Sequence, residues 1–182
     1  MGFCHERTVG EETWLTPRFI INAIQSVRMP DVDPCSPMTR PWDTATRHFN
    51  KVKDGFNRWW NPKDFYWVNP PYGKECDQWL NKTAEHGNAL ALIFARTETQ
   101  MFHRSIWEHP NATAVLFFKG RLKFATIDGE SVGTAGAPSV LVAYGEGARD
   151  MLVRLVGEGK LKGRIILLNE GQAGVYRLGV SA

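Results

Sequence analysis

Seven consecutive apolar residues, Ala89-Leu90-Ala91-Leu92-Ile93-Phe94-Ala95, constrain this chain more than any other stretch. A strand that shows water neither face has to be covered on both sides, the pattern of a sheet with helices packed on each face. Neighbouring segments agree. Phe65-Tyr66-Trp67-Val68 reads as a second buried strand, stopped by Asn69-Pro70-Pro71-Tyr72-Gly73. Cys76, Trp79, Leu80 and Thr83 mark one face of a helix between the two strands, closed by Gly87. Further strands are expected at Thr113 to Phe118, Ser139 to Tyr144, Arg164 to Leu168 and Tyr176 to Val180, with a short helix at Arg149 to Val156. Residues 97–109 read as helix or loop, and the glycine-rich 120–136 as a hairpin or loop. Near the start, Thr16-Pro17 offers a hydroxyl cap and a first-turn proline to a helix from Thr16 to about Val27, followed by a short strand over Met29 to Asp33. Strands alternating with helices predict an α/β fold with an open, mostly parallel sheet flanked by helices.

A length of 182 residues suits one domain with a single core. No run of 18 apolar residues exists, so a membrane-spanning helix is not expected. The opening Met1-Gly2-Phe3-Cys4-His5-Glu6-Arg7 lacks the basic-then-apolar order of a secretory signal. Three widely spaced cysteines, Cys4, Cys35 and Cys76, form neither a disulfide framework nor a metal-ligand pattern. They read as reduced thiols of a cytoplasmic protein with no metal. The formal charge of +3 permits a polyanionic partner without demanding one.

The chemistry concentrates in Asn69-Pro70-Pro71-Tyr72. It follows a buried strand directly, so it lies at the strand's carboxyl end, where open α/β sheets bind ligands. Two prolines remove two backbone donors and stiffen the turn. Asn69 contributes a side-chain carbonyl, Pro70 a main-chain carbonyl, and Tyr72 a stacking face. Two acceptors beside an aromatic ring suit a planar group bearing an exocyclic NH2.

In this setting Asn-Pro-Pro-Tyr resembles the catalytic motif of amino-group methyltransferases that use S-adenosyl-L-methionine. The wider pattern resembles the phage-type DNA N6-adenine methyltransferase family. The matching segments are Trp14-Leu15-Thr16-Pro17, Asp33-Pro34-Cys35-Ser36, Asp54-Gly55, Asn69 to Gly73, Ala95-Arg96-Thr97-Glu98-Thr99, Gly120-Arg121-Leu122-Lys123-Phe124 and Pro138-Ser139-Val140-Leu141-Val142. The resemblance implies a Rossmann-like methyltransferase fold filling residues 1–182 as a single domain, with a core over 13–145 and a C-terminal helix and strands over 146–182. It implies Asn69, Pro70, Pro71 and Tyr72 as the catalytic set. Thr16, Pro17, Asp33, Pro34, Cys35, Asp54 and Asn69 would hold the cofactor. Tyr72, Arg96, Arg121, Lys123 and Phe124 would hold DNA, with Phe124 covering the face of the adenine opposite Tyr72. It further implies a phage or prophage protein of the bacterial cytoplasm that modifies DNA, as in restriction-modification, and acts as monomer or homodimer. Two features depart from the pattern. Asp33-Pro34-Cys35-Ser36-Pro37 stands where a Gly-x-Gly loop is usual, and the carboxylate for the cofactor's ribose has only Asp43 as an early candidate.

Residues 40–63 carry Arg40, Arg47, Lys51, Lys53, Arg58 and Lys63 among Trp42, Phe49, Phe56, Trp59 and Trp60. Cations beside aromatics suit phosphate contact and base stacking. Lys119, Arg121 and Lys123 alternate and would share one face of a strand. Two other functions are compatible with these residues: methylation of RNA exocyclic amines or protein glutamine, and nucleic-acid binding without catalysis.

Overall fold

The computed structural model describes residues 15–126, 128–129 and 131–168. The strand expected at Tyr176 to Val180 lies outside them. The described strands are β1 (Val32–Asp33), β2 (Arg47–His48), β3 (Tyr66–Val68), β4 (Ala89–Phe94), β5 (Ala112–Phe118), β6 (Lys123–Ala125), β7 (Ser131–Thr134), β8 (Ser139–Tyr144) and β9 (Gly163–Leu167). The helices are α1 (Arg18–Gln25), α2 (Cys76–His86), α3 (Gln100–Phe102), which widens into a π-helical turn over His103–Trp107, and α4 (Glu146–Gly157).

Seven strands form one sheet in the order β2-β1-β3-β4-β8-β5-β9, and β6 pairs with β7 apart from it. The fold is mixed α/β. The pairs β2–β1, β1–β3 and β3–β4 are parallel, whereas β4–β8, β8–β5 and β5–β9 are antiparallel. The expectation of a mostly parallel sheet therefore holds on one half only. Burial explains the error. β8 is as apolar as β4 because helices cover both of its faces, and an apolar run of that kind carries no sign of strand direction.

Alternate side chains of the central strands fill two cores. Leu90, Leu92, Leu116, Leu141 and Ala143 join Ile20, Ile24, Leu152 and Leu155 of α1 and α4 on one face. Ala89, Ala91, Ile93, Val140 and Val142 join Trp79, Leu80, Phe102 and Ile106 on the other. Helix ends follow local chemistry. Gly87 adopts φ 72° and donates to the Thr83 carbonyl, closing α2 in the left-handed conformation that glycine takes without strain. The start of α1 differs from expectation. Pro17 holds the N-cap position without a side-chain cap, so Thr16 precedes the helix and its hydroxyl is not spent on capping. Val32–Asp33 is all that pairs of the strand expected over Met29 to Asp33, and α4 begins three residues before Arg149.

The chain leaves β1 for β2 on one side, then crosses back to β3 and on to β4 on the other. The carboxyl ends of β1 and β3 thus flank the point where strand order reverses, the place where such sheets open a crevice.

Candidate active site

That crevice is a cavity of about 760 Å³, inside the range of small-molecule sites. Its walls come from the segments after β1 and β3, the residues before α1, the loop at 50–56 and the first turns of α2. Thr16, Asp33, Pro34, Cys35, Asp54, Asn69, Pro70, Pro71 and Tyr72 all line it. Pieces separated by up to 56 positions in the sequence are brought to one space.

β3 ends in the buried Val68, and the turn follows at once. The Tyr72 hydroxyl donates to Asn69 Oδ1 at 3.2 Å, which fixes the amide with its oxygen as acceptor. A carbonyl oxygen keeps a second lone pair after that bond. Pro70 is buried, and its carbonyl accepts no hydrogen bond from the described residues. The Tyr72 ring stacks on Phe94 with centroids 4.2 Å apart and planes at 24°. Phe124 meets Tyr72 edge-on at 6.0 Å and is 1% exposed, packed in the core instead of lining the cavity.

Asp33 closes the other wall. It is 3% exposed; its Oδ1 accepts from the Cys35 N–H at 3.1 Å and its Oδ2 accepts from the Thr44 hydroxyl. Burial pushes its carboxyl up to about 6, although both hydrogen bonds and the Arg40 guanidinium pull the other way. Burial and the Asp33 charge also raise the Cys35 thiol, so Cys35 stays protonated. The Asn69 main chain acts against that rise, lowering the Cys35 thiol.

The 50–60 loop forms a lid-like wall held by close approach. A Cβ on Gly55 would fall 1.9 Å from the Pro34 carbonyl oxygen, so only glycine lets the two backbones touch. Trp60 Nε1 donates to the Gly55 carbonyl at 3.0 Å. Lys82 Nζ donates to the Phe56 carbonyl, and to that of Arg58 at 2.9 Å. Asp54, exposed and at φ 44°, accepts from Asn57 N at 3.1 Å and Nδ2 at 2.7 Å; these bonds lower its carboxyl from the usual range.

Other expected residues lie elsewhere. Pro17 is buried behind Thr16 without lining the cavity. Arg96 is exposed just beyond β4. Arg121 and Lys123 are exposed beside buried Leu122 and Phe124, the alternation expected of one strand face. Arg121 Nη1 donates to the Ala135 carbonyl at 2.9 Å. Asp43 does not line the cavity; it pairs with Arg40 at 3.2 Å.

Sequence reasoning missed Trp67, Thr44, Glu75 and Gln78, and placed Arg40 with the DNA-facing cations although it lines the cavity. Arg40 also approaches His48 Nδ1 at 3.1 Å, and burial lowers that histidine. Trp67 is the most informative. Its Nε1 is buried without a hydrogen-bond partner among the described residues, while the residue lines the cavity. Its place beside Asn69 was the available signal, hidden because a strand tryptophan reads first as core.

A family model described as DNA N-6-adenine-methyltransferase (Dam) matches residues 5–154. No curated protein and no solved structure matches the chain.

Proposed function

Because the chain belongs to the DNA N-6-adenine-methyltransferase family, and so methylates N6 of adenine in DNA from S-adenosyl-L-methionine, we propose that the cavity between β1 and β3 is where transfer occurs. The observation that carries this reading is the acceptor pair on its wall, Asn69 Oδ1 and the Pro70 carbonyl.

The cavity residues fit the cofactor. Asp33 is a buried carboxylate suited to an ammonium. Thr16 and the unpartnered Trp67 Nε1–H are donors suited to a carboxylate, and a buried donor without a partner calls for an acceptor. Pro34 and Cys35 shape the wall beside Asp33, and Asp54 holds the loop that would face the cofactor's adenine. Pro17 acts by fixing the main chain after Thr16. The bound cofactor supplies an electrophilic methyl group.

An adenine N6 lone pair is delocalised into the ring, so the amine is a poor nucleophile. Asn69 Oδ1 and the Pro70 carbonyl accept its two hydrogens. As positive charge grows on the nitrogen, both acceptors bind it more strongly, which stabilises the transition state over the ground state. Pro71 keeps the turn rigid, so the acceptors need no reorganisation. No histidine among the described residues lines the cavity. None is required, because the nitrogen becomes acidic once methylated and gives its proton to water.

Adenine in a duplex has to leave the stack to reach this wall, and Tyr72 offers the flipped base a platform. Phe124 supports Tyr72 from the core. Arg96, Arg121 and Lys123 contact phosphates. Protection of phage or prophage DNA against nucleases is the use that the resemblance suggests.

Labelled cofactor, offered DNA, RNA and protein together, tests the reading. Label is expected in DNA as N6-methyladenine, which base-resolved sequencing also locates. Label confined to RNA or protein overturns it.

A further inference from the structure

The cluster of cations and aromatics at 40–63 divides once its side chains are placed. Trp60 is 7% exposed and stacks on Tyr66 at 4.4 Å. Trp42 is half-buried under the Arg18 guanidinium at 5.9 Å, and Phe56 packs edge-on against Trp79 at 5.0 Å. These three rings pack against the fold, and Trp42 and Phe56 also line the cavity. Trp59 and Val52 are the reverse, each 79% exposed, the most exposed large apolar side chains among the described residues. An indole left in water beside one that anchors the core is not there for packing.

The loop that carries them is firmly built. Asn50 Oδ1 accepts from the Val52 N–H at 3.1 Å and the Lys53 N–H at 3.0 Å. Arg58 Nε donates to the Lys53 carbonyl at 3.0 Å while its guanidinium covers the Phe49 ring at 4.6 Å. Lys82 holds the far side through two carbonyls. Lys53, Arg58 and Lys63 are exposed, and none has an acidic ion-pair partner among the described residues. Inner residues of the same loop, Lys51 and Asp54 among them, wall the cavity that holds Asn69.

We infer that the 50–63 loop is the duplex-docking element, with Trp59 the wedge that stacks against the bases next to the extruded adenine. The inference rests on the reading of the cavity as the site of transfer. A rigid loop at the rim brings an exposed ring to the helix axis while Lys53, Arg58 and Lys63 meet phosphates. The ring then occupies the stacking space that the flipped base vacates, which lowers the cost of keeping it out.

The test compares wild type, Trp59→Ala and Trp59→Phe on two duplexes carrying the site that wild type methylates. In one the target adenine is paired; in the other it faces an abasic position, so extrusion is already easy. Trp59→Ala should lose about tenfold to a hundredfold in kcat/KM on the paired duplex, the range of one lost stacking platform. The loss should largely vanish on the abasic duplex, and Trp59→Phe should recover most of the activity. Calorimetry with S-adenosylhomocysteine should show unchanged affinity in both variants. Wild-type rates for Trp59→Ala on the paired duplex, or an equal loss on both duplexes, overturn the wedge. So does a change of oligomeric state in sedimentation, which would make Trp59 a contact between copies. Wild-type rates for Asn69→Ala on both duplexes would instead refute the cavity as the site of transfer.

Discussion

On the proposed reading of the cavity, Asp33 is the side chain that couples the fold to the cofactor. Its carboxyl sits at about 6 in the folded protein against 3.8 when unperturbed, because burial disfavours the charge. The folded state therefore binds this proton more tightly than the unfolded one. Its ionisation costs stability as pH rises from about 4 to about 6, and the cost is complete above that. Asp33→Asn removes the charge and keeps the shape. Thermal melts should show the variant more stable than wild type at pH 7, by up to about 3 kcal/mol, and no more stable near pH 4; a gain independent of pH contradicts this. Cofactor binding should run the other way. A cation beside Asp33 favours the ionised form, so affinity should rise between pH 5 and pH 7 in wild type, and Asp33→Asn should bind at least about tenfold more weakly. Calorimetry at three pH values checks both. At this scale the sequence was legible where chemistry is contiguous: Asn69 to Tyr72 could be read as two acceptors and a ring. It was silent on Thr44, whose hydroxyl reaches Asp33 across eleven positions with no periodicity to announce it. Phe124 shows the complementary failure, since a place in a pattern does not say which way a ring faces.

Elements position the site through backbone contacts that leave little trace in hydrophobic patterning. Gly55 and Gly145 make the contrast. A Cβ at Gly55 would strike the Pro34 carbonyl at 1.9 Å, and one at Gly145, which opens α4 at φ 86°, would strike the Gly87 carbonyl at 2.2 Å. Both substitutions by alanine should destabilise the fold, by about 1–3 kcal/mol for forced displacement of packed backbone. Only Gly55→Ala should also weaken cofactor affinity, because only it shifts a cavity wall. Equal affinity for wild type and Gly55→Ala in calorimetry would show that the 50–60 loop does not shape the ligand site. Element type was readable from period and caps: β3, α2, β4 and β8 fall where strand and helix spacing put them. Direction was not. β8 could be placed antiparallel only by knowing that it enters between β4 and β5, a fact of topology that a doubly buried strand conceals.

The whole molecule presents DNA with a modest excess of positive charge, +3 over 182 residues, so affinity has to come from local placement and not from a general field. Arg96 is exposed just beyond β4, and Arg121 and Lys123 are exposed at the start of β6. Replacing Arg121 and Lys123 together by alanine should reduce the slope of log affinity against log salt by about 1 to 2, and leave cofactor affinity unchanged; an unchanged slope would place phosphate contacts elsewhere. The sequence announced a polyanion-binding protein only through its patches, and the structure sorts them: Arg40 and Lys51 join the cavity, Arg47 pairs with Asp64, and Lys53, Arg58 and Lys63 stay outward. On the proposed reading, fold, cavity and charge serve one event at one pair of oxygens. The most direct measurement is single-turnover methyl transfer to DNA by wild type and Asn69→Ala at matched saturation with cofactor. N6-methyladenine should form with wild type and its rate should fall by at least about 100-fold in the variant, as for loss of one oriented transition-state acceptor. Equal rates for the two proteins would contradict the account.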